Sequence, residues 1–235
     1  MPTTVADRAH IEALKPIELF TGLDEKALAR IYADARLRTL RPGTVVFRQR
    51  RPAQTFYVVL DGRVRITEVT AEGHTVLLRF IEAGQMLGAM AALEGMTYPV
   101  NAEAVVQTRA LAWSTRAMAT LMDRYPRIMK NAMGLMVQRI GELQQRCIEL
   151  ATQRVEQRIA RAILRLIQQA GQRTAEGVTV NMPLSRQDLA ELTGTTLYTV
   201  SRTLTRWQSQ GLVKTGRQRL TVLKPHPLVA IADGL

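Results

Sequence analysis

The 235-residue chain is 46% hydrophobic and 22% charged, with a net charge of +12 and a pI near 10.8. That balance excludes a disordered or collagen-like polymer and leaves room for one large domain or two ordinary ones. The single cysteine, Cys147, excludes an intrachain disulfide, a four-cysteine zinc site and a cysteine-held iron–sulfur cluster.

The charge is uneven. Residues 1–150 carry 20 Lys/Arg against 15 Asp/Glu, whereas residues 151–235 carry 12 against 5. The C-terminal third is therefore the better candidate for touching a polyanion. No apolar run approaches the roughly 20 residues of a spanning helix. Asp7, Arg8, His10 and Glu12 interrupt the N-terminus, so neither a signal peptide nor a membrane partner is expected and the expected location is cytoplasmic.

A helix is predicted from about Asp24 to Ala35. Short strands follow between 38 and 113: Thr44–Phe47, Thr55–Leu60, Val64–Val69 and Thr75–Ile81 lie between the turn signals Gly43, Asp61-Gly62, Glu72-Gly73 and Ala83-Gly84. Val64 and Ile66 alternate with Arg63 and Arg65, the period of a strand with one buried face. Asp61-Gly62 between apolar runs predicts a tight hairpin. Regularly spaced short strands imply a small β-roll, assigned to residues 1–125 as a sensor domain.

A long helix starts at Pro126, a favoured first-turn residue. Met133, Ile140 and Cys147 form one heptad set; Met129, Met136, Leu143 and Leu150 form the other. This narrow stripe predicts a coiled coil over 126–151 and hence a homodimer. Arg154 stands where the next apolar residue would fall, so the hinge is placed at Thr152–Arg154. Cys147 reads as a small apolar seam residue.

Residues 152–235 form the third segment. A helix carrying Val155, Ile159, Ala162, Ile163, Leu166 and Ile167 leads into a polar loop around Gly171–Gly177. Ser185-Arg186-Gln187-Asp188 reads as a capping box opening a short helix that stops at Gly194. A second helix runs from Thr195 or Thr196 to about Gln210, with Val200, Leu204 and Trp207 inward. Ala190, Gly194 and Val200 supply a small contact residue, a turn glycine and an apolar plug, as a helix-turn-helix requires. Val213–Thr215 and Leu220–Leu223 flank the basic Gly216-Arg217-Gln218-Arg219, a wing.

The outward face of the second helix carries Thr196, Tyr198, Thr199, Ser201, Arg202 and Arg206 without an acidic residue. Arg202 suits bidentate contact with guanine in the major groove of double-stranded DNA. Arg186, Thr196, Thr199, Lys214, Arg217 and Arg219 suit phosphate contacts, as does Gln187. The predicted fold is α+β: a β-roll, a long dimerisation helix and a C-terminal winged helix-turn-helix.

This order resembles the Crp/Fnr superfamily of transcription regulators over almost the whole chain. Phe56-Tyr57-Val58-Val59-Leu60-Asp61-Gly62-Arg63-Val64-Arg65 resembles its roll signature. Leu184-Ser185-Arg186-Gln187-Asp188-Leu189 and Thr199-Val200-Ser201-Arg202 resemble its DNA-binding signature. The resemblance implies base contacts by Leu197, Tyr198, Ser201 and Arg202, with Tyr198 standing where Glu is common. It also implies contact with RNA polymerase when the regulator acts as an activator.

The family's cyclic-nucleotide site uses a Gly-Glu pair for the ribose and an Arg-Ser pair for the phosphate. The matching positions here are Gly88-Ala89 and Tyr98-Pro99, so cyclic AMP is not expected to bind in the usual way. The expected pocket comprises Met86, Leu87, Gly88, Ala89, Met90, Tyr98 and Pro99, with Leu93 and Met96 adding apolar lining. Residues 97–106 and Leu197-Tyr198 look most like the nitric-oxide-responsive denitrification branch. Haem is a weak candidate effector there, because His10, His74 and His226 do not fall at that branch's ligand positions.

Two other classes compete. A cupin-like enzyme needs clustered histidines, and His74 is the only one in the strand region between 38 and 113. A ligand-binding module acting on a protein partner, without DNA, is the runner-up.

Overall fold

The computed structural model describes residues 11–234 apart from Glu94, and Ala92 without its side chain; His10 lies outside the described residues. Contacts group the chain into two compact units. The first ends at Gly141; the second comprises Val76–Leu78 with Glu142 onward.

In the first unit, Asp24 caps α1 (Glu25–Ala33) by accepting the Ala27 N–H at 2.7 Å. Strands β1 (Arg36–Leu40), β3 (Thr55–Asp61), β6 (Met86–Leu87) and β8 (Thr108–Ser114) form one sheet in the order β1-β8-β3-β6. Strands β2 (Val45–Phe47), β4 (Arg63–Val69), β5 (Thr75–Glu82) and β7 (Asn101–Ala104) form the other, in the order β2-β7-β4-β5. Val64 and Ile66 are buried and alternate with half-buried Arg63 and Arg65, as the period-2 pattern requires.

The Asp61-Gly62 hairpin is a correction. β3 pairs with β8 and β6, whereas β4 lies in the other sheet, so the turn is a corner between sheets. Gly62 takes φ +93°, and a Cβ there would stand 2.5 Å from the Gln107 carbonyl and the Thr108 hydroxyl. Buried Thr108 holds the corner: its Oγ1 accepts the Arg63 N–H at 3.0 Å.

The core beneath the first sheet centres on Trp113, which meets Phe20 and Phe56 edge-on and donates its indole N–H to the Ile31 carbonyl at 2.9 Å. Helix α2 (Thr115–Arg124) is capped by Ser114 and precedes α3 (Pro126–Thr152). The Asn131 amide donates to the Leu19 and Thr21 carbonyls, anchoring the start of α3.

In the second unit, the helical run breaks at Gln153 and resumes as α4 (Val155–Ala170). Glu149, in the last turns of α3, is buried, and both of its carboxylate oxygens accept from Arg165 at 2.9 Å. The Arg158 guanidinium donates to the carbonyls of Gln153, Thr193 and Gly194 at 2.8, 2.9 and 3.4 Å.

The polar loop expected at Gly171–Gly177 is also corrected. It is a hairpin of β9 (Gly171–Thr174) and β10 (Gly177–Val180), joined to β11 (Val213–Gly216) and β12 (Arg219–Val222) in the order β11-β12-β10-β9. β9 is exposed along its whole length, so no alternation marks it as a strand. Helix α7 (Pro225–Asp233) closes the described chain by packing on α4, with Leu228 and Ala232 buried. Among the described residues no helix is long and apolar enough to cross a membrane.

Candidate nucleic-acid interface

Two short helices build the site. Ser185 and Asp188 form the capping box of α5 (Arg186–Thr193): the Ser185 hydroxyl accepts the Asp188 N–H, and the Asp188 carboxylate accepts the Ser185 N–H at 2.8 Å. Gly194 ends α5 in the left-handed region at φ +59°, with the Leu150 side chain against it. Thr196 then caps α6 (Leu197–Ser209) by accepting the Thr199 N–H. Ala190, Val200, Leu204 and Trp207 are buried where the helices meet.

Burying that face leaves Leu197, Tyr198 and Arg202 exposed and Ser201 half-buried on the outward side of α6. The Arg202 guanidinium lies over the Tyr198 ring. Arg206 is ion-paired with Glu156 at 2.5 Å. Thr196 and Thr199 bond each other through their hydroxyls at 2.9 Å.

Arg186 and Gln187 are exposed at the start of α5, and the Gln187 amide donates to Glu191 at 3.0 Å. In the wing, Arg217 and Arg219 are exposed around Gln218, a non-glycine residue at φ +55°. Lys214 is held by Glu176 at 2.7 Å, so its charge is already partnered. Sequence reasoning missed Gln208, whose side-chain oxygen accepts from both the Thr215 N–H and hydroxyl, at 3.0 and 2.7 Å. That pair ties the wing to the end of α6.

On α3, the heptad residues Met129, Met133, Met136, Ile140, Cys147 and Leu150 are exposed within one chain, as is Leu143. Val137, at 68%, is more exposed than Met133, Ile140 or Leu143, and the heptad pattern left it out.

At the effector positions, Leu87 and Tyr98 are buried, Met86, Gly88, Ala89 and Met90 are half-buried, and Pro99 is exposed. Leu93 and Met96 face solvent at 50% and 43% exposure, which corrects their assignment as pocket lining. The Tyr98 ring stacks on Phe47 at 3.9 Å, and its hydroxyl donates to the Thr55 carbonyl at 2.8 Å while accepting the Thr55 N–H. Burial raises the Tyr98 pKa above the ordinary tyrosine value. A Cβ at Gly88 would stand 3.3 Å from that ring. His74 and His226 are exposed, in a hairpin turn and in the first turn of α7. Surface positions of that kind do not fit the axial ligand of a buried haem.

Residues 37–125 match the cyclic nucleotide-binding domain and residues 157–231 match the Crp-like helix-turn-helix domain. The Cyclic AMP receptor protein of Thermus thermophilus is 30% identical over 224 residues, covering 94% of this chain and all of that protein. The chain belongs to the Crp/Fnr family of transcription regulators. A solved CRP-family transcriptional regulator from Thermus thermophilus is 25% identical, with a TM-score of 0.72 over 83% of this chain and 96% of that one. The Acetyltransferase Pat of Mycolicibacterium smegmatis shares 33% identity over 100 residues, where 43% of this chain spans 29% of that protein. As a Crp/Fnr regulator, the chain binds DNA through its helix-turn-helix.

Proposed function

We propose that this regulator acts as a two-fold homodimer, pairing along α3 and reading an inverted repeat with α6 in successive major grooves. The observation that carries the reading is the outward face of α6: exposed Arg202 beside Ser201, Tyr198 and Leu197, with no carboxylate on that helix. Arg202 reads a guanine, and Arg186, Gln187, Thr196, Thr199, Arg217 and Arg219 hold phosphates. Lys214 joins them once it exchanges Glu176 for a phosphate.

The effector is not cyclic AMP. Tyr98 and Pro99 offer neither a cation nor a free hydroxyl, and Tyr98 spends its hydroxyl on Thr55. Residues 97–106 and the Leu197-Tyr198 pair support a place near the nitric-oxide-responsive branch, and RNA polymerase is the second partner during activation. Selection of binding sites from random DNA tests the reading. The expected product is an inverted repeat whose half-sites lie about 34 Å apart. Recovery of a lone half-site, or of no consensus, overturns it.

A further inference from the structure

The face of the first sheet that carries Arg36, Ala112 and Tyr57 holds a groove of about 390 Å³. The register explains it. Arg36 pairs with Ala112, and Ala112 pairs with Tyr57, so the three side chains stand in one row on one face. Ala112 is the small member. It leaves a trough about two strand spacings wide, or ~9.6 Å, between a guanidinium and a phenol ring. Arg38 lies two residues along β1 on the same side, and Ser114 closes one end.

The groups around this trough are short of partners. Among the described residues the Arg36 and Arg38 side chains make no ion pair or hydrogen bond, and the Tyr57 hydroxyl makes no hydrogen bond. Ser114 accepts the Ala117 N–H, which leaves its own O–H to donate, and it stands at the N-terminus of the ten-residue α2. Asp34, the one carboxylate lining the groove, is taken up by Arg30 at 3.1 Å. Two guanidiniums, a hydroxyl donor and a helix N-terminus favour a dianion over a monoanion. The Tyr57 ring opposite them suits a planar group, and the volume lies in the range of small-molecule sites.

We infer that this groove binds an aryl or nucleoside phosphate monoester, with the phosphate between Arg36 and Arg38 and the ring against Tyr57. The groove borders the Tyr98 region, since the Tyr57 ring lies 6.4 Å from Phe47, on which Tyr98 stacks; a cyclic phosphodiester, with one negative charge, is a poor match to the groove.

Calorimetry on the full chain tests this with phenyl phosphate and 5′-AMP as probes and inorganic phosphate as the comparison. Both probes are expected to saturate with dissociation constants below about 1 mM, with inorganic phosphate roughly tenfold weaker. Arg36→Ala/Arg38→Ala, two exposed positions whose loss leaves the melting temperature unchanged, is expected to weaken both probes at least about tenfold. Tyr57→Leu is expected to bring phenyl phosphate down to the level of inorganic phosphate. No saturable heat up to ~10 mM, binding unchanged in the double variant, or equal affinity for inorganic phosphate would each overturn the assignment.

Discussion

The guanidinium carbon of Arg202 lies 5.6 Å from the centroid of the Tyr198 ring, one helical turn earlier on the outward face of α6. The ring limits where the guanidinium can point before DNA arrives, and so reduces the ordering cost of a forked contact. Arg202→Ala should cost ~1–3 kcal/mol per half-site and relax preference at one base pair. Tyr198→Ala should keep that preference and lose only about 0.5–1 kcal/mol. Binding-site selection on both variants measures this; an unchanged consensus for Arg202→Ala shows that another residue faces the groove.

Arg186 stands exposed at the start of α5, where its proposed contact is with a phosphate. Arg186→Ala should weaken all sequences about equally and make the salt slope shallower by roughly one unit per half-site. Glu176→Gln should do the reverse, because it releases Lys214 from its 2.7 Å ion pair for a phosphate. Titrations at several salt concentrations separate the two.

Ile140 and Leu143 are 55% and 46% exposed within one chain, on a face that also carries Val137. Leu143→Asp should bury an unpaired carboxylate in the dimer seam, at a cost of several kcal/mol, and give monomers in sedimentation. A Leu143→Asp dimer would remove α3 as the interface.

Cyclic AMP and cyclic GMP should give no saturable heat up to millimolar concentration, which corresponds to binding weaker than about −4 kcal/mol. A micromolar constant for either would show that Tyr98 can be displaced from Phe47 and Thr55.

Tyr98→Phe should lower stability by ~1–3 kcal/mol, because the Thr55 carbonyl and N–H lose their shared partner. The raised pKa adds a pH dependence. Above the ordinary value of 10.0 the unfolded tyrosine gives up its proton while the folded one keeps it, so stability is full below pH 10 and falls as the pH climbs toward the folded value. Urea unfolding from pH 8 upward should show that decline in the wild type and a smaller one in Tyr98→Phe.

What the amino-acid order made legible were features set by neighbours. Ser185 declares a helix start because a cap acts over three residues, and it accepts the expected Asp188 N–H; Asp24 and Thr196, read only as approximate helix starts, prove to be caps as well. Asp61-Gly62 marks a turn correctly, but which strand pairs with which is decided by residues some 45 positions away, such as Thr108 under Arg63. β9 has no buried face and so no periodicity to read. The Lys214–Glu176 and Arg206–Glu156 pairs were invisible for the same reason as the corner. Tyr98 could be seen to replace a polar residue, yet its stacking on Phe47 depends on loops that meet only in three dimensions.

The Arg158 clasp bears on how such regulators can be recombined. Arg158 ties the carbonyl just past α3 to the turn between α5 and α6, while Glu149 and Leu150, both on α3, meet Arg165 and Gly194. A chimaera spliced at the helix break near Gln153 would therefore inherit Arg165 without its carboxylate and Gly194 without its apolar cover. Such a splice would also leave the donated helix-turn-helix free to swing. A splice ahead of Glu142 keeps these contacts within the transplanted piece, and with them the aim of the reading helix.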